Sequence, residues 1–181
     1  MEVAYQDIHR EIVELSKAGS RMAQHQLYKL YSKAMFNICY RMLNSIEEAE
    51  DLLQESFTDA FSKLESFRFE SSFGAWLKRI VVNRCINHIK KKKAELVYTE
   101  TIPESPHQER EADEEENQMN VKKIQKAMEM LPDGYRIIFS LYLIEGYDHA
   151  EIADIMGISE STSKSQFSRA KQKVKELVKT I

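Results

Sequence analysis

The sequence predicts an all-α protein: two small helical domains, a four-helix bundle and a helix-turn-helix module, joined by a flexible acidic linker. Five Gly and three Pro in 181 residues are too few for a β-sandwich or barrel, which needs a turn every dozen residues or fewer. Apolar residues recur at three-and-four spacing through most of the chain, the period of an amphipathic helix. In between, Glu100 to Glu116 holds eight acids against one base, together with Pro103 and Pro106. That stretch has too little apolar surface to order itself by burial. The expected boundaries are therefore a first domain over 1–95, a linker over 96–117 and a second domain over 118–181. At 43% hydrophobic and 30% charged residues, a core can be buried.

The first helix, Tyr5 to Lys17, carries Ile8, Ile12 and Leu15 on one face, and Gly19 with Ser20 supplies a stop and then an N-cap. A long helix from Arg21 to Leu43 turns Ala23, Leu27, Leu30, Tyr31, Ala34, Met35, Ile38 and Met42 inward. Ser45, with Glu48 three residues on, makes a capping box that opens a third helix from Ile46 to Phe67. Its inward stripe is Ala49, Leu52, Leu53, Phe57, Ala60, Phe61 and Leu64, and its outer face, rich in Glu and Asp from Glu47 to Asp59, is acidic. An aromatic and serine loop, FRFESSF, then leads into a fourth helix with Phe73, Trp76, Leu77, Ile80, Val81, Arg84, Cys85 and Ile89 on its apolar stripe.

From Lys78 to Lys93 that helix carries seven basic residues and no carboxylate. Charge separated in this way makes a local positive field, whose commonest helical partner is a phosphate backbone. A basic helix end also complements the helix dipole, which one or two lysines would satisfy. The net charge of −3 does not argue against an anionic partner, because without Glu100 to Glu116 the remainder of the chain carries +4. The acidic face of the third helix reads as a solvated surface or as a docking face for a basic partner.

In the second domain a charged helix, Val121 to Met130, precedes Leu131-Pro132-Asp133 and a short apolar helix, Tyr135 to Ile144. Asp148 to Met156, the turn at Gly157 and a last helix capped by Ser159 form a helix-turn-helix. Such a last helix enters the major groove by its N-terminal part. Its outward side, with Thr162, Lys164, Ser165, Gln166, Ser168, Arg169 and Lys171, supplies hydrogen-bonding and basic groups suited to base edges and phosphates. Phe167, Ala170, Val174 and Leu177 form the inward side.

Asp51-Leu52-Leu53-Gln54-Glu55-Ser56-Phe57, then Leu64-x-x-Phe67-Arg68, then Phe73-x-x-Trp76-Leu77-x-x-Ile80-x-x-Asn83, resembles region 2 of the extracytoplasmic-function (ECF) group of the sigma-70 family, and the second domain resembles region 4. The resemblance implies a factor that binds core RNA polymerase and directs promoter recognition, −10 melting and initiation, with no catalysis of its own. It implies polymerase contacts at Asp51, Gln54 and Glu55. It assigns base capture near −10 to Lys63, Ser66, Phe67 and Asn83, beside the basic Lys78 and Arg79. It assigns −35 contacts to Lys164, Ser165, Ser168 and Arg169, and the apolar helix partly to the polymerase flap tip. The family also implies an anti-sigma factor as a possible partner. Asn83 keeps two readings: an amide that pairs with a base edge, or a satisfied buried amide. Asp59 falls where relatives can carry a base.

The alternative is a regulator that uses the helix-turn-helix alone. The scattered His residues show no metal-ligand spacing, and there is no nucleophile elbow or phosphate-cradling Gly loop, so no enzyme activity, cofactor or metal is expected. Cys39 and Cys85 read as reduced, buried hydrophobes. With no apolar run of membrane-spanning length and a charged N-terminus, the expectation is a cytoplasmic protein without membrane insertion, monomeric when free.

Overall fold

The computed structural model describes residues 8–96 and 117–181. The predicted start of the first helix, at 5–7, and nearly all of the predicted linker lie outside the described residues. Eight α-helices are found among them and no strand: α1 Arg10–Lys17, α2 Arg21–Leu43, α3 Ile46–Ser62, α4 Phe73–Leu96, α5 Asn117–Glu129, α6 Asp133–Leu143, α7 His149–Met156 and α8 Glu160–Thr180, with a 3₁₀ turn at Leu64–Ser66. The chain divides into two compact units, residues 1–89 and 90–181.

In the first unit α1, α2 and α3 pack in succession, and Ser20 and Ser45 both act as N-caps, Ser45 through the half of the predicted capping box in which its own side chain accepts. Ser20 Oγ accepts from the Ala23 amide and Ser45 Oγ from the Glu48 amide, each at 3.3 Å. Gly19, at φ +87°, makes the turn between α1 and α2. The face of α1 differs from the expected one. Val13 and Ser16 are buried, whereas Ile8 is 89% exposed and Leu15 49% exposed. The helix is thus turned by one position, about 100°. A buried serine is tolerated because Ser16 Oγ donates to the Ile12 carbonyl at 2.8 Å. Leu30 and Ala34 likewise face outward on α2, and Cys39 takes an inward place.

The third helix stops five residues before its predicted end. Ser62 Oγ and Ser66 Oγ donate to the carbonyls of Asp59 and Lys63, and the Ser66 and Phe67 amides bond three residues back. Serine hydroxyls that compete for carbonyls in this way favour a tighter turn over continued α-helix. Ser72 then caps α4, its Oγ accepting from the Ala75 amide at 3.0 Å. The seam of α4 runs through Phe73, Leu77, Val81 and Cys85, joined by Val82 and Ile86. Trp76, Ile80 and Ile89 are only half-buried.

In the second unit Ala127, Met128, Leu131, Phe139, Ala170 and Val174 form the core, with Tyr135, Phe167, Leu177 and Val178 against it. Asp148 and Glu151 make a full capping box at the start of α7, a reciprocal arrangement the sequence reading did not identify. Gly157, at φ +70°, ends α7 in the left-handed conformation. Ser159 Oγ then accepts from the Thr162 amide at 3.1 Å and opens α8. His149 is stacked on Tyr142, with ring centroids 4.4 Å apart, and its Nδ1 lies 2.9 Å from the buried Ser163 hydroxyl. The three residues tie α6, α7 and α8 together, which orients α8.

Candidate nucleic-acid interface

In the first unit the end of the 3₁₀ turn, the loop at 67–72 and the first turns of α4 enclose a cleft of about 700 Å³, lined by Ser66, Phe67, Arg68, Glu70, Ser71, Ala75, Trp76 and Arg79. That is within the range of roughly 300–1,000 Å³ typical of small-ligand sites. Arg68 and Arg79 are exposed and give the wall its positive charge. The resemblance assigned Phe67 to base capture, which calls for an accessible ring. The structure corrects this: Phe67 is 3% exposed, its ring packed against Phe69, Trp76 and Phe73 at centroid distances of 4.8, 5.2 and 5.9 Å. Phe67 cannot offer a free face, because hydrophobic burial of its ring outweighs solvent exposure in the loop. Phe69 and Trp76 remain half-buried and keep part of their aromatic surface accessible.

Ser66 and Arg79 thus meet Phe67 in the cleft wall, while Lys63, Lys78 and Asn83 do not line it. Asn83 is exposed, which removes the buried-amide reading. It lies one helical turn beyond Arg79, on the same side of α4. Lys63 is also exposed, with Nζ 3.8 Å from Asp59 Oδ2. Ser66 Oγ is engaged with the Lys63 carbonyl at 2.7 Å. Glu70, Ser71 and Trp76 are cleft residues that the sequence reading did not single out as contacts. The composition of the loop was the signal for Glu70 and Ser71, and Trp76 stood in the Phe73-x-x-Trp76-Leu77 motif of α4.

The acidic face of α3 is split in two. Asp51 and Gln54 are exposed. Glu55, also exposed, accepts from Arg84 Nη1 at 2.5 Å, and Asp59 Oδ2 accepts from Arg84 Nε and Nη2 at 2.8 and 2.6 Å. Arg84 is therefore neutralised between two carboxylates and ties α4 to α3. This withdraws it both from the apolar stripe and from the basic surface in which the sequence reading counted it. It also gives Asp59 a definite partner. Behind this tie Cys39 and Cys85 are free thiols, fully buried. The Cys85 thiol is pushed well above its usual range by its hydrogen bond to Cys39 and by burial.

In the second unit Lys164, Ser165, Arg169 and Lys171 are exposed along α8. Lys164 is held by Glu160 Oε1 at 2.6 Å, and that hydrogen bond and charge raise its pKa, so it stays protonated. Thr162, Gln166 and Ser168 are half-buried. The Thr162 hydroxyl lies 2.7 Å from the capping Ser159 Oγ, and Gln166 Oε1 comes within 3.6 Å of the place a Cβ on Gly134 would occupy, at the start of α6. The seven outward residues of α8 thus divide into four that are exposed, of which Lys164 is paired with Glu160, and three that are half-buried within the domain. Among the described residues no group of three or more His, Cys, Asp or Glu could hold a metal ion, and no helix is long and apolar enough to cross a membrane.

Both units match known families. The family model of sigma-70 region 2 matches residues 27–95 and that of sigma-70 region 4 matches residues 122–174. The chain is 30% identical over 177 residues to the ECF RNA polymerase sigma factor SigW of Bacillus subtilis, covering 91% of this chain and 94% of the relative. It is 28% identical over 170 residues to SigM of Mycobacterium tuberculosis, covering 93% and 83%. Among solved structures, the sigma factor RpoE of Bartonella quintana, crystallised with the anti-sigma factor NepR, aligns with a TM-score of 0.57 and 27% identity, covering 86% of this chain and 96% of that one.

Proposed function

The chain belongs to the ECF group of the sigma-70 family of RNA polymerase sigma factors, and from that premise we propose how its two units divide the work of initiation. The first unit binds core RNA polymerase through the acidic face of α3, with Asp51 and Gln54 as free contacts and Glu55 shared with Arg84. It captures a base of the non-template strand near −10 in the cleft between the 67–72 loop and α4. The second unit reads −35 duplex through Lys164, Ser165, Arg169 and Lys171. The protein carries out no catalysis; polymerase does. It acts in the cytoplasm, where polymerase meets promoters, and is a monomer until it binds polymerase. An anti-sigma factor, of the kind seen with the Bartonella quintana protein, is the expected negative regulator.

The observation that carries this reading is the cleft of about 700 Å³, walled by half-buried Trp76 and by the exposed guanidiniums of Arg68 and Arg79. Opening duplex DNA costs about 1.4 kcal/mol per base-pair step, so a melting protein must recover that cost from the freed strand. A base stacked on an aromatic returns roughly 1–3 kcal/mol, and basic side chains beside it hold the phosphates. With Phe67 buried, the base enters the cleft against Trp76 rather than lying on a free Phe67 ring. Asn83, exposed one turn along, is placed to read an adjacent base edge.

The test is run-off transcription from fragmented genomic DNA with core polymerase, with and without the protein. Discrete transcripts that depend on the protein, with start sites downstream of common −35 and −10 elements, support the reading. Binding of specific duplex without any new transcript would instead favour a regulator using the helix-turn-helix alone.

A further inference from the structure

The loop that forms the cleft is an energetically uncomfortable piece of backbone held from outside. Phe69 has φ +58°, the left-handed region in which a bulky residue is strained unless its surroundings compensate. The compensation comes from α1, some fifty residues earlier. Lys17 Nζ donates to the Phe67 carbonyl, and the same ammonium lies 5.0 Å from the Phe69 ring centroid and 5.8 Å from that of Phe67. The Arg10 guanidinium sits 4.6 Å over the Phe69 ring, aimed by Glu14, whose Oε1 accepts from Arg10 Nε at 2.9 Å. Two cations close to one aromatic ring hold it through its quadrupole, and the lysine adds a charge-assisted hydrogen bond to the backbone. The start of α1 is tied down as well. His9 Nδ1 lies 2.7 Å from the Tyr31 hydroxyl, and the Tyr31 ring packs on Phe73, the first residue of α4.

We propose that Arg10 and Lys17 are positioning residues, which hold the Phe67–Phe69 backbone in the shape that forms the base cleft, so that base discrimination near −10 depends on α1. Neither residue lines the cleft, and neither needs to touch DNA. Their effect is transmitted through Phe67 and Phe69. The inference rests on the reading of the cleft as the base site.

The experiment uses holoenzyme assembled from core polymerase and the full chain. Its probes are single-stranded oligonucleotides carrying the non-template −10 sequence of a promoter recovered by run-off transcription, with each of the four bases in turn at each −10 position. Wild type is expected to prefer one base at the captured position. Lys17→Met is expected to reduce that preference on the order of tenfold, since a misplacement of about 1 Å can cost as much as a hundredfold. Lys17→Arg should restore most of it, and Arg10→Gln, at an exposed site that does not endanger folding, should give a smaller loss. Affinity for core polymerase and −35 preference should stay as in wild type. If Lys17→Met and Arg10→Gln weaken all four oligonucleotides alike, or leave the preference intact, the residues are merely structural and the proposal falls. If wild type itself prefers no base, the cleft reading fails first and the inference goes with it.

Discussion

Gly74 illustrates how one missing side chain serves the site. A Cβ there would lie 2.8 Å from Tyr31 Cε1, closer than packed atoms allow, and Tyr31 cannot retreat freely because its hydroxyl is paired with His9. Gly74→Ala is expected to cost about 1–3 kcal/mol by overpacking, measured as a shift of the urea midpoint. Asn83 carries the opposite kind of expectation. It is exposed and outside the core, so Asn83→Ala should leave stability within about 0.5 kcal/mol and alter initiation at some promoters more than others. An equal loss at every promoter would remove its base-reading role. At Cys85 the raised thiol pKa keeps the reactive thiolate scarce at neutral pH. Native protein should therefore react with a thiol reagent far more slowly than urea-unfolded protein, and equal rates would contradict the burial.

At the level of elements, α3 and α4 are joined by one guanidinium on two carboxylates, between a helix proposed to face polymerase and a helix proposed to face DNA. The three side chains are partly exposed, so solvent screening limits the contribution. Arg84→Ala should lower stability by about 1 kcal/mol in chemical denaturation. Because it also frees Glu55, it should alter affinity for core polymerase; unchanged affinity would show that Glu55 is not part of that contact. Helix ends were largely legible in sequence. Ser20, Ser45 and Ser159 were read as caps and each accepts the expected amide, because capping depends on the local sequence within one turn. Helix faces were less legible. The rotation of α1 and the shift of the α4 seam to Val82 and Ile86 depend on which neighbour each helix meets, and several apolar residues around the helix leave that choice open.

For the molecule as a whole, binding should follow charge distribution rather than net charge. The lysines at 90–92 and those of α8 are proposed to face an anionic polymer, while the protein carries −3 overall. Lys91→Ala is expected to weaken holoenzyme binding to every promoter alike and to lower the slope of log affinity against log salt by about 1, read by titration across salt concentrations. Promoter-dependent loss would show that Lys91 reads sequence.

Composition, helical periodicity and capping residues determined the all-α class and the helix-turn-helix, because they depend on contacts within a few residues, and the resemblance of the motifs to those of a known family supplied the family. The order and spacing of the motifs also pointed to α3, α4 and α8 as the working surfaces. Packing determined which of the named side chains are free. It buried Phe67 under its aromatic neighbours, paired Arg84 with Glu55 and Asp59, and left Asn83 in solvent. It also brought Arg10 and Lys17 to a loop some fifty residues downstream. Burial and long-range pairing are properties of surfaces that meet only in the folded chain, and no local pattern in the sequence encodes them.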